Sequence, residues 1–369
     1  MCKITKKSNR VSRSKNRTLM ADADLLSAID LYSGSGAVTS ALKKAGFNVV
    51  AAVDNNPTAC ETYRLNHRDV NLHEGDIRKI SVKKVSTEKD IGLLVVCAPC
   101  QPFSRQNQKR ENDPRAKLIF ESLKYIKEFS PKLVFFENVP GLATSDEFTK
   151  LSKSLHKLQY KLSEVRLLDS ADFGVPQRRT RCVLMASKSE EAINLFNVFS
   201  PRRKKRTVLE AIGHLPPLKS GEKDQNDSLH SARNHQPIVL KRLRHIPKDG
   251  GSRASLPKRL QLDCHKRMGK NQSYTDVYGR MKWNDVAPTL TTGCTDVTKG
   301  RFAHPEQDRA ITLREAAIFQ GFPKSYKFSG SSNSIARQIG NAVPVGLISG
   351  LAPLMKKMIT MSAAEKQKA

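Results

Sequence analysis

Residues 25–54 constrain the fold more than any other stretch. An apolar run from Leu25 to Tyr32 enters Gly34-Ser35-Gly36. A stretch with Val38, Ala41, Leu42 and Ala45 at helical spacing follows, and Gly46 ends it. A second apolar run, Phe47 to Val53, stops at Asp54. Strand, glycine turn, helix, strand and terminal acid form a βαβ unit suited to a nucleotide-like ligand. The glycines let backbone approach the ligand, and the helix N-terminus adds partial positive charge. An acid about 20 residues further on can accept from ribose hydroxyls. The third glycine of the dinucleotide fingerprint is absent, with Thr39 in its place. An adenosine ligand other than NAD(H) therefore fits better. Asp76, in Gly75-Asp76-Ile77, follows a further short segment and can accept from an adenine amino group. A turn or helix-cap aspartate is its plainer reading.

Further apolar runs at Leu93–Ala98, Lys132–Phe136 and Arg181–Ala186 read as strands, and Ile119, Leu123 and Ile126 mark an amphipathic helix. Strands alternating with helices predict an α/β fold whose parallel sheet is covered on both faces. A chain of 369 residues exceeds what one core usually holds, about 250–300, so a second, smaller unit is expected. The pattern places a large domain at 21–195, a small irregular domain at 196–300, and a C-terminal segment at 301–369. That segment has a helix at Thr312–Phe319 and another after Pro344, and partly returns to the large domain.

Charge narrows the partners. Lys and Arg number 64 against 35 Asp and Glu, a net charge of +29, which points to a polyanion. Residues 1–20 carry seven Lys/Arg and no acid and read as a disordered basic arm. Residues 201–275 carry 18 Lys/Arg against six Asp/Glu, with poor periodicity. No secretory signal or membrane span is expected, and seven cysteines are too few for a disulfide scaffold, so reduced thiols are the expectation.

Three motifs carry chemistry. In Ala98-Pro99-Cys100-Gln101-Pro102-Phe103-Ser104, a cysteine follows a buried strand, where α/β active sites lie. As a thiolate it can attack an electrophilic carbon. Cys97-x-x-Cys100 also has the spacing of a redox pair or half a zinc site, but no second such pair exists. Phe135-Phe136-Glu137-Asn138-Val139-Pro140 ends a strand in a carboxyl group that burial can keep protonated, able to donate to a ring nitrogen. In Gln177-Arg178-Arg179-Thr180-Arg181, alternation puts Arg179 and Arg181 on one face. Their guanidinium forks suit carboxylates, base edges and phosphates. No metal site is expected.

Taken in order, these motifs resemble the DNA (cytosine-5)-methyltransferase family of the bacterial restriction-modification type, over about residues 26–186 and 276–358. Asp113-x-Arg115-x-x-Leu118, Arg314-Glu315-Ala316-Ala317, Gln320-Gly321-Phe322-Pro323 and Gln338-Ile339-Gly340-Asn341-Ala342-Val343-Pro344 agree as well. The resemblance implies a Rossmann-like methyltransferase fold with a mixed sheet and a small target-recognition domain. It implies attack by Cys100 on cytosine C6, Glu137 at N3, and Arg179 and Arg181 positioning base and carboxylate. Gln101 and Ser104 would ride on a loop that closes on duplex DNA. Tyr32, Gly34, Gly36, Asp54, Asp76, Ile77, Pro99, Leu118, Asn341, Ala342 and Val343 would line a pocket for S-adenosylmethionine. A monomer acting on cytoplasmic, nucleoid-associated DNA of a bacterium or archaeon is implied too, with any restriction endonuclease a separate chain.

The first motif usually reads Asp-Leu-Phe-x-Gly-x-Gly-Gly. Here Tyr32 replaces Phe and Ala37 the last Gly, and Asp54 stands where Glu is usual, with a shorter reach. Competing readings are an RNA cytosine methyltransferase, a DNA-binding regulator on an inactive scaffold, and a nicotinamide oxidoreductase. The transfer-RNA relatives carry Cys-Phe-Thr after Glu-Asn-Val, which this chain lacks. Intact Cys100, Glu137, Arg179 and Arg181 oppose the regulator, and the oxidoreductase explains only the first turn.

Overall fold

The computed structural model describes residues 26–104, 113–201, 203–263 and 275–368. The basic arm expected at 1–20 lies outside the described residues. Eight strands form one sheet: β1 (Ser27–Leu31), β2 (Asn48–Asp54), β3 (Asn71–Glu74), β4 (Leu93–Val96), β5 (Leu133–Asn138), β6 (Lys161–Leu162), β7 (Arg166–Asp169) and β8 (Thr180–Ser187). Their order is β3-β2-β1-β4-β5-β8, with β6 and β7 both on the far side of β8. Strands β1 to β5 are parallel. Strand β8 is antiparallel to β5, β6 and β7, so the sheet is mixed. The parallel sheet read from alternation gives way at β8 to the mixed sheet that the family resemblance implied, for a geometric reason. Residues 170–179 link β7 to β8 with one 3-10 turn, and a parallel crossover needs about a dozen residues or more.

Strand order reverses between β1 and β4, which opens a crevice at their carboxyl ends. Side chains alternate across the sheet. Ala28, Val95 and Phe135 enter one core, and Ile29, Val96 and Phe136 the other. Helix α1 (Ala37–Lys44), helix α5 (Glu190–Asn197) and the long C-terminal helix α10 (Val345–Lys368) cover the first face. The apolar stretch Ser332–Glu365 has the length and composition to cross a membrane, yet 67% of its most apolar window is buried in the fold. Leu347, Leu351, Met355 and Met358 account for that burial in the core.

The described residues between 203 and 311 hold little regular structure. Their small core gathers Leu243, Ile246, Leu260, Val277, Tyr278 and Val297. A guanidinium supplies what strand ladders supply elsewhere. Arg280 is wholly buried and donates to the carbonyls of Leu243 (2.8 Å), Ile246 (3.2 Å), His304 (2.9 Å) and Gln307 (2.8 Å), and it pairs with Asp308. Arg280→Met should cost about 3 kcal/mol in urea unfolding, because those carbonyls lose their donor inside the fold. A loss below about 1 kcal/mol would show that the loops do not depend on this hub.

Asp30 lies in β1 among apolar strands and is fully buried. Thr39 donates to its Oδ2 at 2.8 Å, while Oδ1 has no partner among the described residues. Burial raises its carboxyl to about 7. The unfolded chain therefore ionises first as pH rises, and stability present below pH 4 is lost progressively up to about pH 7. Asp30→Asn should flatten this decline and gain about 1–3 kcal/mol on the wild type between pH 5 and pH 8 in thermal melts. Parallel curves would mean that the carboxylate is tolerated ionised.

Candidate active site

The carboxyl ends of β1, β4 and β5 meet the start of β8. Because β8 is antiparallel, Glu137 lies opposite Val183 and Asn138 opposite Cys182, which brings the Gln-Arg-Arg block beside Glu137. Arg179 and Arg181 are buried, while Arg178 and Thr180 are exposed, as alternation requires. Arg181 Nε donates to Glu137 Oε1 at 2.8 Å, and its Nη1 donates to the Thr180 carbonyl at 2.8 Å. Arg179 reaches the carbonyls of Leu290 and Gly340, both at 2.7 Å, and its buried Nε has no partner among the described residues.

Cys100 follows β4 and begins a single 3-10 turn, Gln101–Phe103, with Ser104 beyond it. Asn138 fastens this loop to β5. Its Nδ2 donates to the Ala98 carbonyl at 3.1 Å, and its Oδ1 accepts from Val139 N at 2.9 Å. Gly141 admits the loop from below, since a Cβ there would lie 2.1 Å from the Phe103 carbonyl oxygen.

Thiol, carboxyl and two guanidiniums share one electrostatic environment. Burial raises the Glu137 carboxyl, against the pull of Arg181 and Arg179. Burial, then the negative field of Glu137, raises the Cys100 thiol, and Arg181 and Arg179 oppose that rise. Burial and the neighbouring Arg181 lower Arg179 to about 9. The site can hold a proton on Glu137 or on Cys100, and ionising one discourages ionising the other.

The glycine turn sits beside this group. Gly34 has φ +54°, and a Cβ there would meet no atom of the described residues within 4 Å, so it faces open space among them. Asp54 accepts from Gly34 N and Asn56 N, both at 2.8 Å. Gly36 has φ +88°, and its missing side chain makes room for His67 and Tyr326. Tyr32 donates to the Leu118 carbonyl at 2.5 Å. Arg78 forks onto Asp76, and this pairing holds the carboxyl down at about 2. Ile77 is buried in the second core. Pro99 is half-buried in the cysteine loop. Asn341 is exposed at the end of helix α9 (Ser332–Asn341), with Ala342 and Val343 buried behind it.

Several residues given no role in the sequence reading hold these pieces together. Gln177 donates to Gln320 Oε1 at 2.9 Å and accepts from Leu290 N at 2.8 Å. Gln320 donates in turn to the Ile339 carbonyl at 2.5 Å. The arginine block and the Gly-Asn-Ala-Val-Pro segment are thus joined through two buried amides. Gln177 and Gln320 stood inside recognisable motifs, whereas nothing local marks His67.

A family profile described as C-5 cytosine-specific DNA methylase matches residues 26–357. The Type II methylase M.HgiDII of Herpetosiphon aurantiacus is 38% identical over 343 residues, which cover 90% of this chain and 95% of that protein. The Type II methyltransferase M1.HphI of Haemophilus parahaemolyticus is 30% identical, with 91% and 88% covered. Among solved structures, the Dnmt2 methyltransferase of S. pombe has a TM-score of 0.60 at 21% identity, covering 90% of this chain and 98% of its own, a likeness of fold. With relatives matching at nearly full length, the chain belongs to the C-5 cytosine-specific DNA methylase family and is a DNA (cytosine-5)-methyltransferase.

Proposed function

We propose that this enzyme methylates C5 of cytosine within a specific duplex DNA sequence, with S-adenosylmethionine as donor and Cys100 as nucleophile. The observation that carries the reading is the buried Glu137–Arg181 pair at 2.8 Å, whose charges act directly on the Cys100 thiol.

Cytosine C5 is a poor nucleophile. The Cys100 thiolate adds to C6, forming an S–C6 bond, while Glu137 gives its proton to N3 and takes up the displaced charge. C5 becomes enamine-like. The donor supplies an electrophilic methyl group on a sulfonium and leaves as S-adenosylhomocysteine. Loss of the C5 proton to a base then expels the thiolate and restores the ring double bond, and the N3 proton returns to Glu137. Arg181 orients the Glu137 carboxyl, and Arg179 adds positive charge beside it. A proton on Glu137 also removes the negative neighbour of Cys100 and leaves two guanidiniums facing the thiol. Seating a base against the protonated acid thus favours the thiolate when it is needed.

The donor fits the glycine turn. Open space faces Gly34, and the Asp54 oxygens keep further lone pairs for ribose hydroxyls. Tyr32, Gly36, Pro99, Leu118, Asn341, Ala342 and Val343 border this site in our reading, with Asp76 and Ile77 toward the adenine. The cytosine must leave the base stack, at a cost of a few kcal/mol. Gln101 and Ser104 belong to the loop that closes on the DNA, and residues 196–300 form the recognition domain beside a catalytic body of 21–195 and 301–369. The enzyme acts as a monomer in the cytoplasm and protects host DNA from an endonuclease on a separate chain.

Purified protein, tritiated S-adenosylmethionine and mixed-sequence duplex DNA should yield label at cytosine C5. Cys100→Ala should lower the yield by about a thousand-fold or more. Label persisting in the variant would remove Cys100 from the chemistry. Glu137→Gln should separate two roles: methylation falls by about a hundred-fold, while the pH midpoint for alkylation of Cys100 by iodoacetamide moves down, because a negative neighbour is gone. A midpoint that stays put or rises would contradict the coupling.

A further inference from the structure

We infer that Tyr326 and His67 are positioning residues for the methyl donor, clasping the glycine turn at Ser35 and Gly36 while Gly34 stays uncovered by the described residues. The inference rests on reading that turn as the donor site.

The turn needs outside support. Tyr32, Gly34 and Gly36 all have positive φ, at 61°, 54° and 88°. Backbone of this kind persists only where its surroundings fix it. Within the turn, Gly36 N donates to the Ser33 carbonyl at 3.0 Å. From outside, the Tyr326 hydroxyl donates to the Ser35 carbonyl at 2.5 Å. His67 Nε2 lies 3.1 Å from the Gly36 carbonyl and 3.1 Å from the Tyr326 hydroxyl.

Proton accounting fixes the roles. Tyr326 has one hydroxyl proton and gives it to Ser35, so toward His67 it can only accept. His67 therefore carries its hydrogen on Nε2 and shares it between Gly36 and Tyr326. Burial holds the ring neutral, with its pKa lowered to about 4.

Gly36 is what admits the clasp. A Cβ there would lie 2.6 Å from His67 Cδ2 and 2.9 Å from the Tyr326 hydroxyl. The turn thus has one face filled by protein at Gly36 and one face open at Gly34.

Tyr326 is itself held in register. Its ring packs on Phe322, with centroids 4.8 Å apart, and on Phe328 at 5.4 Å. The strip that carries it is laced to helix α2 (Pro57–Asn66). Lys327 N donates to Asn66 Oδ1 at 3.0 Å, Asn66 Nδ2 donates to the Lys327 carbonyl at 2.8 Å, and Ser329 N donates to Thr62 Oγ1 at 2.9 Å. A segment beyond the basic module thereby shapes a turn near the start of the chain. The clasp bonds only to backbone of the turn, so its loss should weaken donor binding and spare the chemical step.

The test uses the full chain and three variants, Tyr326→Phe, His67→Phe and His67→Gln, checked by thermal melts for folding. Calorimetry reads the Kd for S-adenosylmethionine, and steady-state assays on saturating duplex DNA read donor KM and kcat separately. Tyr326→Phe and His67→Phe should raise Kd and KM about ten-fold, while kcat at saturating donor stays within about two-fold. His67→Gln keeps an N–H donor and should recover most of the affinity. An unchanged Kd in Tyr326→Phe and His67→Phe, with the wild type binding the donor, overturns the clasp alone. A loss confined to kcat overturns it as well. A wild type that binds no S-adenosylmethionine overturns the donor-site reading, and the clasp with it.

Discussion

Glu137 and Arg181 face each other from neighbouring antiparallel strands, 2.8 Å apart and nearly out of water. A buried ion pair is weak evidence of stability, because desolvating two charges offsets much of their attraction. Its value here lies in placement. The pair exists only because β8 runs against β5, so that the residues leading into one strand lie beside the residues ending the other. Had the sheet stayed parallel, the arginine block would sit at the opposite edge. Reversal at β8 thus brings three chemistries to one crevice: the thiol after β4, the acid ending β5 and the guanidiniums opening β8.

Around that pair, buried amides and carbonyls set the remaining parts. Asn138 holds the cysteine loop, and Gln177 with Gln320 joins the arginine block to the segment ending at Val343. These side chains bond chiefly to backbone, so each can fix a loop without adding a titratable group beside the thiol. Among the described residues, burial and then the charges of Glu137, Arg181 and Arg179 bear most on how readily Cys100 ionises.

Much of this architecture was legible in the sequence. The runs ending at Val53 and starting at Lys132 foresaw β2 and β5 to within two residues, because a buried strand writes a continuous apolar run. The same-face placement of Arg179 and Arg181 followed from a period of two. Strand direction did not follow, since an apolar run reads alike both ways, and β6 and β7 are too short to show a period. The pairs Gln177–Gln320 and His67–Tyr326 are separated by 143 and 259 positions, and a local pattern holds no record of such contacts. Residues 201–275 gave poor periodicity, and among the described residues there short helices and an arginine bonded to carbonyls, rather than a strand ladder, hold the chain.

The net charge of +29 divides between buried and exposed side chains. Not every cation is available to a polyanion. Arg280 is committed to carbonyls and Asp308, Arg309 to Glu315 at 2.8 Å, and Arg314 to Asp227 at 2.5 Å. Removing any of these from its partners would leave buried acceptors unpaired, which costs more than a phosphate contact returns. Among the described residues of the same region, Lys241, Arg244, Lys258 and Arg259 are exposed and open to a polyanion. Each phosphate they neutralise releases counterions, so binding through them weakens steeply with salt and carries little sequence information. The two populations of basic residue therefore differ: the buried arginines hold the irregular loops in shape, and the exposed ones remain open to a polyanion.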